Sequence, residues 1–114
     1  MKEPPHPPSK YRSMWLFTMF DLPVDSKKAR KRYTQFRKSL LRAGFSKLQY
    51  SVYARYFPSE EASEAHRQNL RAGVPPEGQV RFLSVTDRQF GKMEVIHGGT
   101  EVEPEKAPRQ VELF

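Results

Sequence analysis

Asp21 is the residue whose type and setting most invite chemistry. It closes the apolar run Met14-Trp15-Leu16-Phe17-Thr18-Met19-Phe20 and precedes Leu22-Pro23. Such a run predicts a buried central strand. A carboxylate at its end costs free energy unless it is paired or bound to a metal. Residues 26–57 follow with ten Lys and Arg and no Asp or Glu. A lone acid beside an unrelieved basic segment suggests a metal ion near a phosphate backbone. The plainer alternative is an Asp that merely caps the turn after it.

One carboxylate is thin for Mg²⁺, which takes oxygen ligands, keeps several waters and uses one or two carboxylates with a substrate phosphate. An isologous interface brings the same residue twice. The metal reading therefore predicts a homodimer with Asp21 near its axis. Without metal, two facing carboxylates would repel and one would hold a proton. If residues 45–57 form a regular strand, Gln49, Ser51, Tyr53 and Arg55 share one face. Arg55 is then a candidate phosphate ligand, whereas Ser51 and Tyr53 read as packing residues.

The elements that must position these groups follow from periodicity. Along 14–21, Trp15, Phe17, Met19 and Asp21 share one side of the strand, and Met14, Leu16, Thr18 and Phe20 the other. Both sides are largely apolar, so helices must cover one, and a second protomer is a candidate for the other. Asp25 or Ser26 caps a helix reaching about Ala43. Ala29, Tyr33, Phe36 and Leu40 form its apolar stripe. Lys27, Lys31, Lys38 and Arg42 fall on the opposite side. No acids stand at four-residue spacing to relieve them, so they repel one another unless a polyanion neutralises them. Gly44 ends the helix.

Residues 45–57 are strand-like, either one long strand or a tight hairpin bending near Tyr50-Ser51, with no Asn-Gly pair to mark a turn. Pro58-Ser59-Glu60-Glu61 opens a second helix with Ala62, Ala65 and Leu70 on its thin apolar side, and Gly73 ends it. Residues 79–86 predict a strand, 87–91 a turn and 92–97 a short last strand closed by Gly98-Gly99. The order is that of an α+β, ferredoxin-like β-α-β-β-α-β fold with an extra C-terminal strand. The domain is expected over 14–97, after a proline-rich disordered arm at 1–13 and before a flexible tail at 98–114.

Composition narrows the classes. The chain has 114 residues, enough for one domain with a modest core. It has no cysteine, which removes disulfide frameworks and thiolate zinc sites. No apolar run approaches a membrane span, and the N-terminus lacks a signal-peptide pattern, so a cytoplasmic protein without a membrane partner is expected. Net charge is +7, and segment 26–57 alone carries +10, leaving −3 elsewhere. That concentration is the footprint expected for phosphate binding. Nucleotide-binding glycine loops are missing. His6, His66 and His97 lack ligand-like spacing, and His66 reads as a surface residue of a polar helix. The Gly-aromatic signature of an RNA-recognition domain is missing from 52–57.

The strand Trp15 to Pro23, the basic helix with Tyr33, Phe36, Arg37, Leu40 and Leu41 before Gly44-Phe45, Leu48-Gln49-Tyr50-Ser51-Val52-Tyr53, and Val85-Thr86-Asp87-Arg88-Gln89-Phe90-Gly91 occur in an order that resembles CRISPR-associated protein 2, the small subunit of spacer acquisition. The resemblance spans about residues 14–97, and its last element resembles the version found beside type II effectors. It implies a homodimer whose C-terminal strand joins the partner's sheet. It implies a Mg²⁺-dependent endonuclease site in which Asp21 is both catalytic and metal-binding. It also implies that the dimer binds duplex DNA, or RNA, and bridges dimers of the integrase, CRISPR-associated protein 1. Enzymatic activity can be dispensable for that bridging role. The alternative is a stand-alone metal-dependent ribonuclease, including a toxin-type ribonuclease.

Overall fold

The computed structural model describes residues 12–108. Residues 1–11 of the expected arm and residues 109–114 of the expected tail lie outside the described residues. The elements run β1 (Met14–Asp21), α1 (Lys27–Arg42), β2 (Ser46–Gln49), β3 (Val52–Phe57), α2 (Glu60–Ala72), β4 (Gln79–Thr86), α3 (Asp87–Gly91), β5 (Val95–His97) and β6 (Thr100–Val102). The main sheet has the order β2-β3-β1-β4, and each neighbouring pair is antiparallel. This is the mixed α+β, β-α-β-β-α-β arrangement, with β1 central between β3 and β4.

Alternation along β1 divides the core in two. Leu16 and Phe20 join Phe36 and Leu40 of α1, Tyr53 and Phe57 of β3, and Leu70 of α2 in the helix-side core. The expected stripe of α1 therefore faces the sheet, with Phe36 and Leu40 buried and Ala29 and Tyr33 half-buried. Ser26 caps this helix by accepting from the Ala29 N–H at 3.0 Å. Gly44 ends it at φ 84°, a value that disfavours any side chain. Ser59 caps α2 in the same way. Ala65, expected on the apolar side of α2, is exposed, and the buried Ser63 takes that place with its hydroxyl satisfied by the Glu60 carbonyl at 2.7 Å.

The other face of β1 is only partly covered, and the cover comes from within the chain. Residues 87–91, expected to be a turn, form α3. Thr86 and Gln89 close a capping box at its start. Phe90 of α3 stacks on Trp15 at 3.9 Å and 9°, and the Trp15 indole N–H donates to Asp87 Oδ1 at 2.7 Å. Met93 and Ala107 also pack on this cluster. Phe17 and Met19 remain half-buried, and Leu83 opposite Phe17 is 50% exposed.

The C-terminal reading needs correction. The extra strand is shorter than expected, Val95–His97, and it pairs with β6, which lies inside the segment read as a flexible tail. Gly98 and Gly99, both at positive φ, make the turn between them. The polar composition of 98–108 hid a hairpin and the packing of Ala107 on the Trp15 cluster. Among the described residues, no helix is long and apolar enough to cross a membrane.

Candidate functional site

Three features converge on the C-terminal end of β1. Phe20 donates its N–H to the Ser51 carbonyl at 3.1 Å, tying the strand end to the β2–β3 turn. Segment 45–57 is thus a hairpin, and Ser51 makes its turn at φ 61°, a region usually left to Gly or Asn. On the other side Asp21 pairs with Gln79 of β4. Leu22 is buried directly beyond, against Gly78, where a Cβ would overlap the Leu22 side chain.

The Asp21 side chain is exposed, and among the described residues no hydrogen bond or ion pair engages it. The cost of burial inferred from the apolar run therefore does not apply within one chain. Its carboxylate oxygens are free to take a ligand. No cluster of three or more His, Cys, Asp or Glu forms among the described residues. Asp21 alone is short of a Mg²⁺ site, which would need further oxygen donors such as water, phosphate or a second copy's Asp21. A single chain does not fit a dedicated metal cage.

The basic helix leaves the same end of the sheet. Lys27, Lys31, Lys38 and Arg42 are all exposed. At about 100° per residue they fall within roughly 60° of arc, opposite Phe36 and Leu40. None is in an ion pair among the described residues. Arg32, on the flank of the helix, is instead paired with Glu77. The Glu77 carboxyl is held below its ordinary value, first by its own backbone N–H, which together with Arg32 and Lys28 outweighs the opposing effect of desolvation.

Arg55 stands apart. It pairs with Leu16, so it lies roughly 17 Å along the sheet from Asp21 at ~3.3 Å per residue. Its guanidinium donates to the Ala43 carbonyl at 2.8 Å and to His66 Nε2 at 2.6 Å, and it lies over the Phe57 ring. An Arg offers only donors, so His66 accepts at Nε2 and directs Nδ1 toward the Ala62 carbonyl at 3.3 Å. Arg55 thus closes the C-terminal end of α1. His66, read from its polar neighbours as a surface residue, is a half-buried partner in that lock, edge-on to Phe57 at 5.0 Å. The hairpin bend explains why Gln49 and Arg55 do not share the face expected of one regular strand. Tyr50 and Ser51 take up the turn, Gln49 pairs with Val52, and Tyr53 enters the helix-side core.

Tyr50 is marked in the sequence only as the place where a hairpin bends. It is 72% exposed at the hairpin tip, stacked on Tyr33 at 6.3 Å and 23°, with the Lys47 ammonium 5.6 Å from its ring. Its place beside the unmarked turn was the available signal.

Comparison with known proteins agrees with this architecture. A family model described as CRISPR associated protein Cas2 matches residues 14–93. A protein of Parvibaculum lavamentivorans named CRISPR-associated endoribonuclease Cas2 is 48% identical over 101 residues, covering 89% of this chain and all of that protein. One of the same name from Flavobacterium psychrophilum is 42% identical over 106 residues, covering 93% of this chain and 92% of that protein. A solved structure titled "Crystal structure of cas2" superposes with a TM-score of 0.55 at 17% identity, covering 90% of this chain and 98% of that one. At that identity the likeness speaks for the fold.

Proposed function

The chain belongs to the CRISPR associated protein Cas2 family, and from that premise we propose that it is a spacer-acquisition subunit that dimerises, binds duplex DNA and bridges integrase dimers. In this reading it carries a Mg²⁺-dependent endonuclease site at Asp21. Membership supports a CRISPR-associated, nuclease-like role, since its relatives carry the name endoribonuclease. The observation that carries the DNA-binding part is the exposed, one-sided stripe of Lys27, Lys31, Lys38 and Arg42, unpaired among the described residues. The resemblance of Thr86-Asp87-Arg88-Gln89-Phe90-Gly91 to the type II version is part of the same proposal.

The chain's own residues divide the work. The α1 stripe neutralises phosphates without reading bases, which makes binding sequence-independent. Asp21, offered once by each of two copies, would hold the metal. The bound metal would supply Lewis-acid help at the scissile phosphate and a nucleophile usable at neutral pH. The Phe20–Ser51 backbone bond fixes the strand end and so the backbone position from which Asp21 extends. The half-covered face with Phe17, Met19 and Leu83 is the surface on which the second copy would complete the site.

A spacer-integration assay with the integrase encoded beside this chain tests the reading. Co-purification and integration that requires this subunit are expected. A chain that neither co-purifies with the integrase nor supports integration, yet cleaves RNA alone, would favour the stand-alone ribonuclease.

A further inference from the structure

Tyr50 is at once exposed and held by its neighbours. It is a large aromatic side chain, 72% exposed. It is nevertheless held in place: Tyr33 stacks against it at 6.3 Å with 23° between the rings, and Lys47 lies 5.6 Å from its centroid. Tyr33 is itself anchored, packing on Phe20 at 5.7 Å, with its hydroxyl 3.5 Å from Ser51 Oγ. The tip that carries Tyr50 is fixed by the Ser51 carbonyl accepting from Phe20. The chain of contacts therefore runs from the strand end that presents Asp21 to an exposed ring. Hydrogen bonding and charge interaction with Tyr33 raise the Tyr50 hydroxyl above its ordinary value.

We propose that Tyr50, backed by Tyr33 and flanked by Lys47, is a stacking platform for an unpaired nucleobase, so that the strand reaching Asp21 is single-stranded or splayed rather than continuous duplex. The proposal rests on the reading of nucleic acid at this end of the sheet and names the form it takes there. An aromatic ring held by its neighbours has little ordering entropy left to lose when a base stacks on it. The Lys47 ammonium lies over the ring on a long flexible side chain, and when a base takes its place it can swing aside to meet the adjacent phosphate, which gives the usual composition of a single-strand surface. Every base has a π-face, so the platform is expected to be indifferent to sequence. Tyr50 belongs to the β2–β3 hairpin, and the duplex stripe belongs to α1, so the two surfaces can be separated by substitution.

The test compares Tyr50→Ala and Tyr50→Phe with the unaltered protein. Each is titrated with a blunt DNA duplex, and with single-stranded DNA and RNA carrying 2-aminopurine as a stacking reporter. Tyr50→Ala should weaken single-strand binding by about 5- to 150-fold, the range for losing one stacked base, and abolish the quenching of 2-aminopurine. Tyr50→Phe should keep both, and duplex affinity should be unchanged in both variants. Loss in the DNA arm, the RNA arm or both supports the platform and identifies the polymer it takes. Single-strand binding by Tyr50→Ala equal to that of the unaltered protein overturns the proposal while leaving duplex binding by α1 intact. Equal weakening of duplex and single strand also overturns it. An unaltered protein that binds neither form overturns both this proposal and the reading on which it rests.

Discussion

The stripe on α1 makes a quantitative demand on salt dependence. Lys27 to Arg42 spans about 22 Å of helix at ~1.5 Å per residue, long enough to follow several phosphates. Each phosphate neutralised on a duplex contributes about −0.9 to the slope of log affinity against log salt. Four contacts give roughly −3.6 per chain, and about −7 if both copies of a dimer engage the same duplex. Per chain, raising salt from about 50 to about 200 mM should cost some 150-fold in affinity. Lys31→Glu with Lys38→Glu removes two contacts and leaves a slope near −1.8, so the same salt step should cost only about 12-fold. Both side chains are exposed and, among the described residues, without ion pairs, so the fold should tolerate the exchange with little loss. Anisotropy titrations of a labelled duplex across that salt range read the slope directly. An unchanged slope in a double variant with normal melting would show that the stripe is only a solvated surface.

Light scattering is expected to give about twice the 13.3 kDa chain mass, and Leu83→Glu on the half-covered sheet face should reduce it to one; a monomeric unaltered chain that still binds Mg²⁺ at Asp21 would count against the shared site. Thr18 has a buried hydroxyl without a partner among the described residues, so Thr18→Val should raise stability by about 1–2 kcal/mol in urea titration, the scale of an unsatisfied buried group; a loss would mean that the hydroxyl is satisfied in solution. Arg55→Ala should cost about 1–3 kcal/mol, since it removes the donor to the Ala43 carbonyl and His66 and the cover over Phe57, with no change in duplex affinity; a specific loss of duplex binding would restore Arg55 as a phosphate ligand.

The parts of the fold legible in the sequence are those written in a period. Leu16 and Phe20 at every second position, and Phe36 and Leu40 at helical spacing, placed β1 and α1 and the core between them. Ser26, Gly44 and Ser59 marked their ends through chemistry that acts within one turn. What escaped depends on contacts distant in sequence. The β2–β3 turn is made by Ser51 at positive φ, held by a bond from Phe20 rather than by a turn dipeptide. The segment 87–91 becomes a helix because Phe90 finds Trp15, seventy-five positions away. His66 looks polar in its helix but meets Arg55 from a strand. Asp21 was legible as a candidate from its apolar run, but its exposure was not. Its place at the strand end frees the carboxylate that burial would have forced to pair.

The central claim is that Asp21 and the α1 stripe are separable: one for chemistry, the other for holding nucleic acid. The most direct measurement uses a single preparation of Asp21→Asn, assayed side by side for Mg²⁺-dependent cleavage, duplex affinity and integration with the integrase. The substitution is nearly isosteric at an exposed site and, on the proposed shared site, would relieve carboxylate repulsion between the two copies, so melting in EDTA should stay level or rise. The account predicts that any cleavage is lost, because a metal ligand and the nucleophile it supports go together, while duplex binding and integration persist. A folded, integrase-bound Asp21→Asn protein that no longer integrates, or one that still cleaves at the unaltered rate, would contradict it.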